Sequence, residues 1–243
     1  MCGRYALTSP PETLRALFGY AEQPNFPPRY NIAPTQPIAL VVAEPDANGM
    51  PQRRFRLARW GFLPGFVRDV AKFPLIINAR SETATIKPAF RHAMKRRRCL
   101  VPADAYYEWL RYRVDGRLAR RAFLFRRRDG APMALAGLWE SYAGPDGGQI
   151  DTACILTTAA NASTAAIHDR MPAIIAPADF SAWLDCDEGD SRNVARAAAL
   201  LGPAPEDTLI FDEIGPAINK ATNEGPELQQ PLRAAPPTAA CRD

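Results

Sequence analysis

Apolar residues in this chain come in short runs broken by turn signals, and that spacing constrains the fold more than any other feature. Ile38 to Ala43 is an apolar, β-branched run, and Arg53 to Trp60 alternates basic with apolar residues. Ala47-Asn48-Gly49 is the turn between them. Pro74 to Ile77, Cys99 to Val101, Tyr106 to Trp109, Met133 to Trp139, Ala153 to Ala159 and Thr208 to Phe211 read as further strands. Arg111 to Arg128 alternates arginine with apolar residues around Asp115-Gly116, a hairpin signal, and is expected to be a solvated edge. Helical signals are shorter. Ser9-Pro10-Pro11-Glu12 has the form of a capping box with proline at the first helical position, Leu14, Leu17 and Phe18 make an apolar face, and Gly19 ends it. Pro88 to Lys95, Pro177 to Leu184 and Ser191 to Leu201 read as the other helices. Prolines from Pro24 to Pro37 forbid a helix and leave a rigid, irregular segment. No repeat or linker divides the pattern. It predicts a single α+β domain over residues 2–232, followed by a disordered Ala/Pro tail over 233–243.

With 243 residues, 47% hydrophobic and 23% charged, the chain can bury a substantial core and has ordinary globular composition. No apolar run approaches the ~20 residues that span a bilayer, so no membrane association is expected. No basic segment followed by an apolar one opens the chain, which predicts a cytoplasmic protein, nucleoid-associated in a bacterial cell. Cys2, Cys99, Cys154, Cys186 and Cys241 are scattered without a C-x-x-C pair, and His92 and His168 are the only histidines. Reduced thiols, no metal and no cofactor are the expectation. Charge is placed unevenly: residues 1–128 hold 24 Lys/Arg against 9 Asp/Glu, and residues 129–243 hold 6 against 17. Either one face binds a polyanion, with nucleic acid the leading partner, or the two halves interleave and neutralise each other.

Met1-Cys2-Gly3-Arg4-Tyr5 opens the chain. Cysteine is small enough for Met1 to be removed, which would leave Cys2 with a free α-amine beside its thiol. Unperturbed pKa values near 8 and 8.5 keep a fraction of each nucleophilic at neutral pH. Such a 1,2-aminothiol condenses with an aldehyde to an imine and closes to a thiazolidine. Elsewhere, Asn78, Glu108 and His168 are polar groups set in or beside apolar strands. Glu108, flanked by Tyr106, Tyr107 and Trp109, is costly to bury unless paired or protonated.

Cys2-Gly3-Arg4-Tyr5, Arg29-Tyr30-Asn31-Ile32-Ala33-Pro34, Trp60-Gly61-Phe62 and Asn78-Ala79-Arg80-Ser81-Glu82 together resemble the SRAP family. Tyr106-Tyr107-Glu108-Trp109, His168-Asp169-Arg170-Met171-Pro172 and Asn223 to Leu228 extend the resemblance, in the family's order, to about residue 232. It implies a mixed or antiparallel curved, barrel-like sheet with a few peripheral helices. It also implies a sensor and processor of abasic sites in single-stranded DNA, cross-linked through a thiazolidine on Cys2. In that resemblance Cys2 is the nucleophile and Asn78 positions the amine and the sugar. Glu108 is the acid/base of imine formation, and His168 protonates the sugar oxygen. Arg4, Arg80 and Arg170 match phosphate contacts, and Asn31 and Thr157 contacts to the sugar-phosphate or bases. In the loop after Trp60, Phe66-Val67 stands where relatives carry an aromatic wedge pair. Trp60, Phe66 and Val67 are therefore counted with the DNA-binding residues. A weak lyase activity through β-elimination, self-removal of Met1, replication-fork partners and a monomeric state complete the expectation. Two alternatives stand beside it: a thiol peptidase or amidohydrolase using Cys2 with His168, and a non-covalent single-stranded-DNA binding module.

Overall fold

The computed structural model describes residues 2–144, 147–187, 189–190 and 192–232; Met1 and the expected tail at 233–243 lie outside them. In chain order the elements are β1 (Tyr5–Leu7), α1 (Pro11–Phe18), β2 (Arg29–Ile32), β3 (Pro37–Pro45), β4 (Pro51–Trp60) and β5 (Asn78–Arg80). Next come α2 (Ser81–Ala84), α3 (Arg91–Arg96), β6 (Arg98–Ala103), β7 (Ala105–Val114), β8 (Arg117–Arg127) and β9 (Met133–Ala143). β10 (Gln149–Ala159), α4 (Ala162–Ala165), β11 (Arg170–Pro172), α5 (Phe180–Leu184), α6 (Asn193–Ala199) and β12 (Leu209–Ile214) follow, then 3-10 turns at Pro216–Asn219 and Pro226–Gln229.

One sheet closes on itself. β3 pairs antiparallel with β4 and β6, β6 with β9, and β9 with β10. The other edge of β10 runs parallel to the end of β4, Thr152 opposite Arg59 and Ala153 opposite Trp60. The path β10-β4-β3-β6-β9 is thus a closed, mixed ring, with β5 and β11 added along β10. Its inside is a continuous apolar core in which Leu40, Val41, Leu100, Leu135, Ala136 and Ile155 are completely enclosed. Gly137 on β9 lets the ring close here: a Cβ would stand 2.7 Å from the Cys99 sulfur. The second sheet, β12-β8-β7-β1-β2, is antiparallel throughout and carries Cys2 into the molecule at the start of β1. This is the expected single α+β, barrel-like domain.

Several local expectations are corrected. Pro11 does open α1 and Gly19 ends it at φ 73°, but Ser9 does not cap it. Its hydroxyl and N–H go to Asp104 instead, at 2.6 and 2.7 Å, tying the start of α1 to the β6–β7 junction. The strand expected at Pro74–Ile77 begins where it was to end, as β5. β4 occupies the edge of β10 as far as Ala153, so a parallel partner fits only beyond it, from Ile155 opposite Asn78. The two charge halves do interleave, through Arg29–Glu224, Arg56–Asp151, Arg97–Glu140, Arg121–Glu213 and Arg126–Asp212. Among the described residues no helix is long and apolar enough to cross a membrane.

Candidate active site

Three structural features bring the site together. Trp60 ends β4 inside the core, packs edge-on to Tyr5 of β1 with ring centres 5.4 Å apart, and donates its indole N–H to Ile77 O at 2.9 Å. That fixes the approach to β5, whose first residue is Asn78. Asn78 Nδ2 donates to the Cys2 carbonyl at 2.7 Å, while its Oδ1 is buried with no hydrogen-bond partner among the described residues. A buried acceptor of that kind is costly to leave unsatisfied, and is aimed for a donor the site receives. Finally, β7 presents Glu108, only 3% exposed, beside the Tyr106–Phe125 stack.

Glu108 faces His168 across 4.0 Å, Oε2 to Nε2. His168 precedes β11, and its Nδ1 accepts the N–H of Arg170 at 3.0 Å. The same nitrogen stands 2.9 Å from an Asp169 carboxylate oxygen, but that side chain is 87% exposed. The backbone donor is the fixed partner, so the neutral ring carries its proton on Nε2, toward Glu108. Burial pushes the Glu108 carboxyl above its ordinary value, against nearby positive charge that includes His168. Cys2 is fully enclosed; burial first, and the Glu108 carboxylate second, push its thiol well above the ordinary range. A thiol, a carboxyl that holds its proton high and an imidazole at its side form an acid/base pair next to a nucleophile.

A cleft of about 270 Å³ opens on Glu108 and His168, lined also by Arg4, Trp109, Arg111 and Arg120; Cys2 lies behind its wall, where Gly3 and Arg4 follow it in the chain. A hollow of about 510 Å³ adjoins it, sharing Trp109, Arg111 and His168. A cavity of about 870 Å³ between the β3–β4 turn and α5 shares no residue with either. Among the described residues no group of three His, Cys, Asp or Glu side chains could hold a metal ion.

The residues expected to touch DNA divide into two sets. Arg80 and Phe66 are exposed, Phe66 at 61%, and Arg4 lines the cleft. Trp60, Asn31 and Thr157 are completely enclosed and Val67 is 8% exposed, so their side chains are not on the surface of this structure. The reason is internal bonding. Asn31 accepts from Arg4 Nη1 at 2.6 Å and donates to Lys220 O and Asn223 O. Val67 packs with Leu63, Tyr142 and Phe73, and its carbonyl accepts from the Tyr142 hydroxyl. The aromatic neighbour of Phe66 is Phe73, edge-on at 6.5 Å. Arg170 is held by both oxygens of Glu82 and by Thr157 O, so its charge is paired within the chain, while its Nε is buried with no partner among the described residues. Trp109, Arg111, Arg120 and Asn219, not expected at the site, line its cleft. The arginine alternation of the hairpin is the one sequence signal for two of them.

Cys2, buried and held at its carbonyl by Asn78, lies beside a Glu108–His168 pair that lines a cleft with Arg4, Arg111 and Arg120, which defines a thiol-bearing site under a basic cleft. The chain belongs to the SRAP family, described as SOS response associated peptidase, whose model matches residues 1–221. Abasic site processing protein YoqW of Bacillus subtilis (strain 168) is 32% identical over 94% of this chain and 98% of its own length. YedK of Escherichia coli (strain K12), also named an abasic site processing protein, is 29% identical over 96% of this chain and all of its own. Among solved structures, a Bordetella bronchiseptica protein matches with TM-score 0.72 and 28% identity, over 88% of this chain and all of its own. One from Bacteroides thetaiotaomicron shares the fold, with TM-score 0.79 and 21% identity over 96% and 100% of the two chains.

Proposed function

We propose that this protein processes abasic sites in single-stranded DNA by capturing the ring-opened sugar aldehyde on Cys2, once Met1 is removed. The observation that carries the reading is the hold of Asn78 on the Cys2 carbonyl beside the Glu108–His168 pair. It fixes the cysteine backbone, and with it a freed α-amine, next to a proton donor and acceptor. The α-amine adds to the C1′ aldehyde, and the carbinolamine loses water to give an imine. That step needs an acid to protonate the departing hydroxyl, a role for Glu108, whose carboxyl burial shifts toward the protonated form. His168, beside it, protonates the sugar ring oxygen as the ring opens. The thiol then adds across the C=N bond, its sulfur to C1′ and its proton to nitrogen, closing the thiazolidine. In this order the amine attacks first and the sulfur closes the ring. The imine can also lose the 3′ phosphate by β-elimination, a slow lyase reaction. Arg4 and Arg80 supply positive charge toward the phosphates.

Intact mass spectrometry of the processed protein with an abasic single-stranded oligonucleotide tests this reading. The expected mass is the sum of both components less one water. The adduct should be absent with Cys2→Ala, and with an N-terminal tag that blocks the amine but leaves the thiol. An adduct that forms on the tagged protein would overturn the imine route. Steady turnover of amide substrates by Cys2 without any adduct would favour the peptidase reading.

A further inference from the structure

Strand β12 neutralises β8 where it runs beside it and one residue beyond. Their register extends from Leu209 opposite Arg127 to Ile214 opposite Ala122. Within that length Arg126 pairs with Asp212, and Arg121, one residue past it, still reaches Glu213. Past Arg121 the β7–β8 hairpin extends beyond β12, turning through Asp115 and Gly116, both at positive φ. Arg111, Arg113, Arg117 and Arg120 lie on this projecting part, all exposed, and none has an ion-pair partner among the described residues. Arg111 sits directly opposite Arg120, and Arg113 opposite Leu118. Cross-strand partners share a face, so Arg111, Arg113 and Arg120 form one row. Like charges placed directly opposite each other destabilise a hairpin unless an anion lies between them. The row is continuous with the candidate site: Arg111 and Arg120 line the cleft that holds Glu108 and His168. The other face adds Tyr112, 39% exposed.

We propose that this projecting hairpin is a second binding track, which takes the phosphates of the single strand flanking the one held in the cleft. The proposal rests on the reading of the cleft as a DNA site. Guanidinium groups without carboxylate partners on a two-stranded ribbon, with an aromatic ring on its other face, are what a sequence-independent single-strand track requires. Such a track works through counterion release, so its signature is the salt dependence of binding.

The test measures affinity for a lesion-free single strand, long enough to cover cleft and hairpin, across a salt series. Arg111→Gln with Arg120→Gln should lower the slope of log K against log salt by about 1.4, at ~0.7 for each phosphate no longer neutralised. Arg111→Lys with Arg120→Lys keeps both point charges and should keep the slope. In abasic oligonucleotides, the ratio of cross-linking rates for long against short flanks should fall toward one in the glutamine variant. An unchanged slope in a glutamine variant that melts like wild type overturns the proposal, whatever anionic peptide or lipid vesicle the hairpin also binds. Absence of any adduct with the wild-type protein would sink the cross-linking reading instead, and leave the lesion-free slope to decide on the hairpin.

Discussion

The Asn78 side chain donates its amide N–H to the backbone carbonyl of Cys2 at 2.7 Å, across 76 residues of sequence. This bond joins the first residue of β5 to the short segment that leads into β1. It fixes the Cys2 peptide, and Asn78 Oδ1 has no hydrogen-bond partner among the described residues.

Asn78→Ala should therefore slow adduct formation while the fold survives. Misplacing a reacting group by about 1 Å costs ~10²-fold, and that is the expected loss in single-turnover rate at saturating DNA. Asn78→Asp should be slower still, because a carboxylate would face the Cys2 carbonyl with two acceptors and no donor. An aspartate variant as fast as wild type would show that the contact does not position the nucleophile.

Arg98 is the corresponding element on the other side of the barrel. It is 1% exposed and bonds no carboxylate among the described residues; its guanidinium donates to Met94 O, Trp183 O, Asp185 O and Asn193 Oδ1, with its charge over the Trp183 ring at 5.7 Å. Carbonyls from the ends of α3 and α5 thus converge on one planar fork. Arg98→Met strands several buried acceptors at about 1–3 kcal/mol each, so a loss of at least about 3 kcal/mol is expected in urea unfolding. Arg98→Lys should recover little of it, since an ammonium cannot reach acceptors spread across a guanidinium plane.

Much of the fold is legible from local pattern because the strands are short and punctuated. The Asp115-Gly116 turn is the clearest case: φ values of 49° and 77° are what a two-residue hairpin connection demands. Local pattern does not say which edge a strand will join. The closing of the ring depends on β10 pairing with β9 on one edge and β4 on the other, a relation between segments about 90 residues apart. The same limit governs the site. Arg98 ends the run Lys95-Arg96-Arg97-Arg98, in which nothing local marks it off from its neighbours, and Asn31 and Thr157 read as polar residues available to a ligand. Arg98 is turned inward by the carbonyls of Met94 and Trp183 and the side chain of Asn193, Asn31 by the carbonyls of Lys220 and Asn223, and the Thr157 hydroxyl by the carbonyl of Ala79. Phe66 and Val67 are equally apolar in sequence, and only the packing against Tyr142 decides which of them faces out.

The Asn31 contacts carry a prediction of their own. The segment after β12 lies across β2, with Asn31 bonded to Lys220 O and Asn223 O, and Glu224 gripping Arg29 and the Tyr30 N–H. Through Asn31 Oδ1 this strap sets the position of Arg4. Asn31→Ala should cost about 1–3 kcal/mol in urea unfolding through the acceptors it strands. It should also weaken DNA binding although the side chain touches no ligand. Arg4→Ala combined with Asn31→Ala should then bind no more weakly than Arg4→Ala alone, a non-additivity that a purely structural role for Asn31 would not produce.

Glu108 ties stability to pH in the direction opposite to an ordinary ion-paired carboxylate. Burial holds its folded-state pKa above the ordinary 4.5. Between 4.5 and the raised value the folded chain binds more protons than the unfolded one, so its stability falls as pH rises through that window and stays lower above it. Glu108→Gln keeps the shape and removes the titration. It should therefore be more stable than wild type at neutral pH, with the difference closing as the pH drops below 4.5. The same variant should cross-link more slowly, having lost the proton that imine formation uses. Denaturant midpoints at a series of pH values give the first quantity and adduct rates the second. A glutamine variant less stable than wild type at neutral pH would mean that the carboxylate is held by interactions stronger than its burial cost. A gain in stability joined to a loss of rate would mark Glu108 as a group buried for its chemistry.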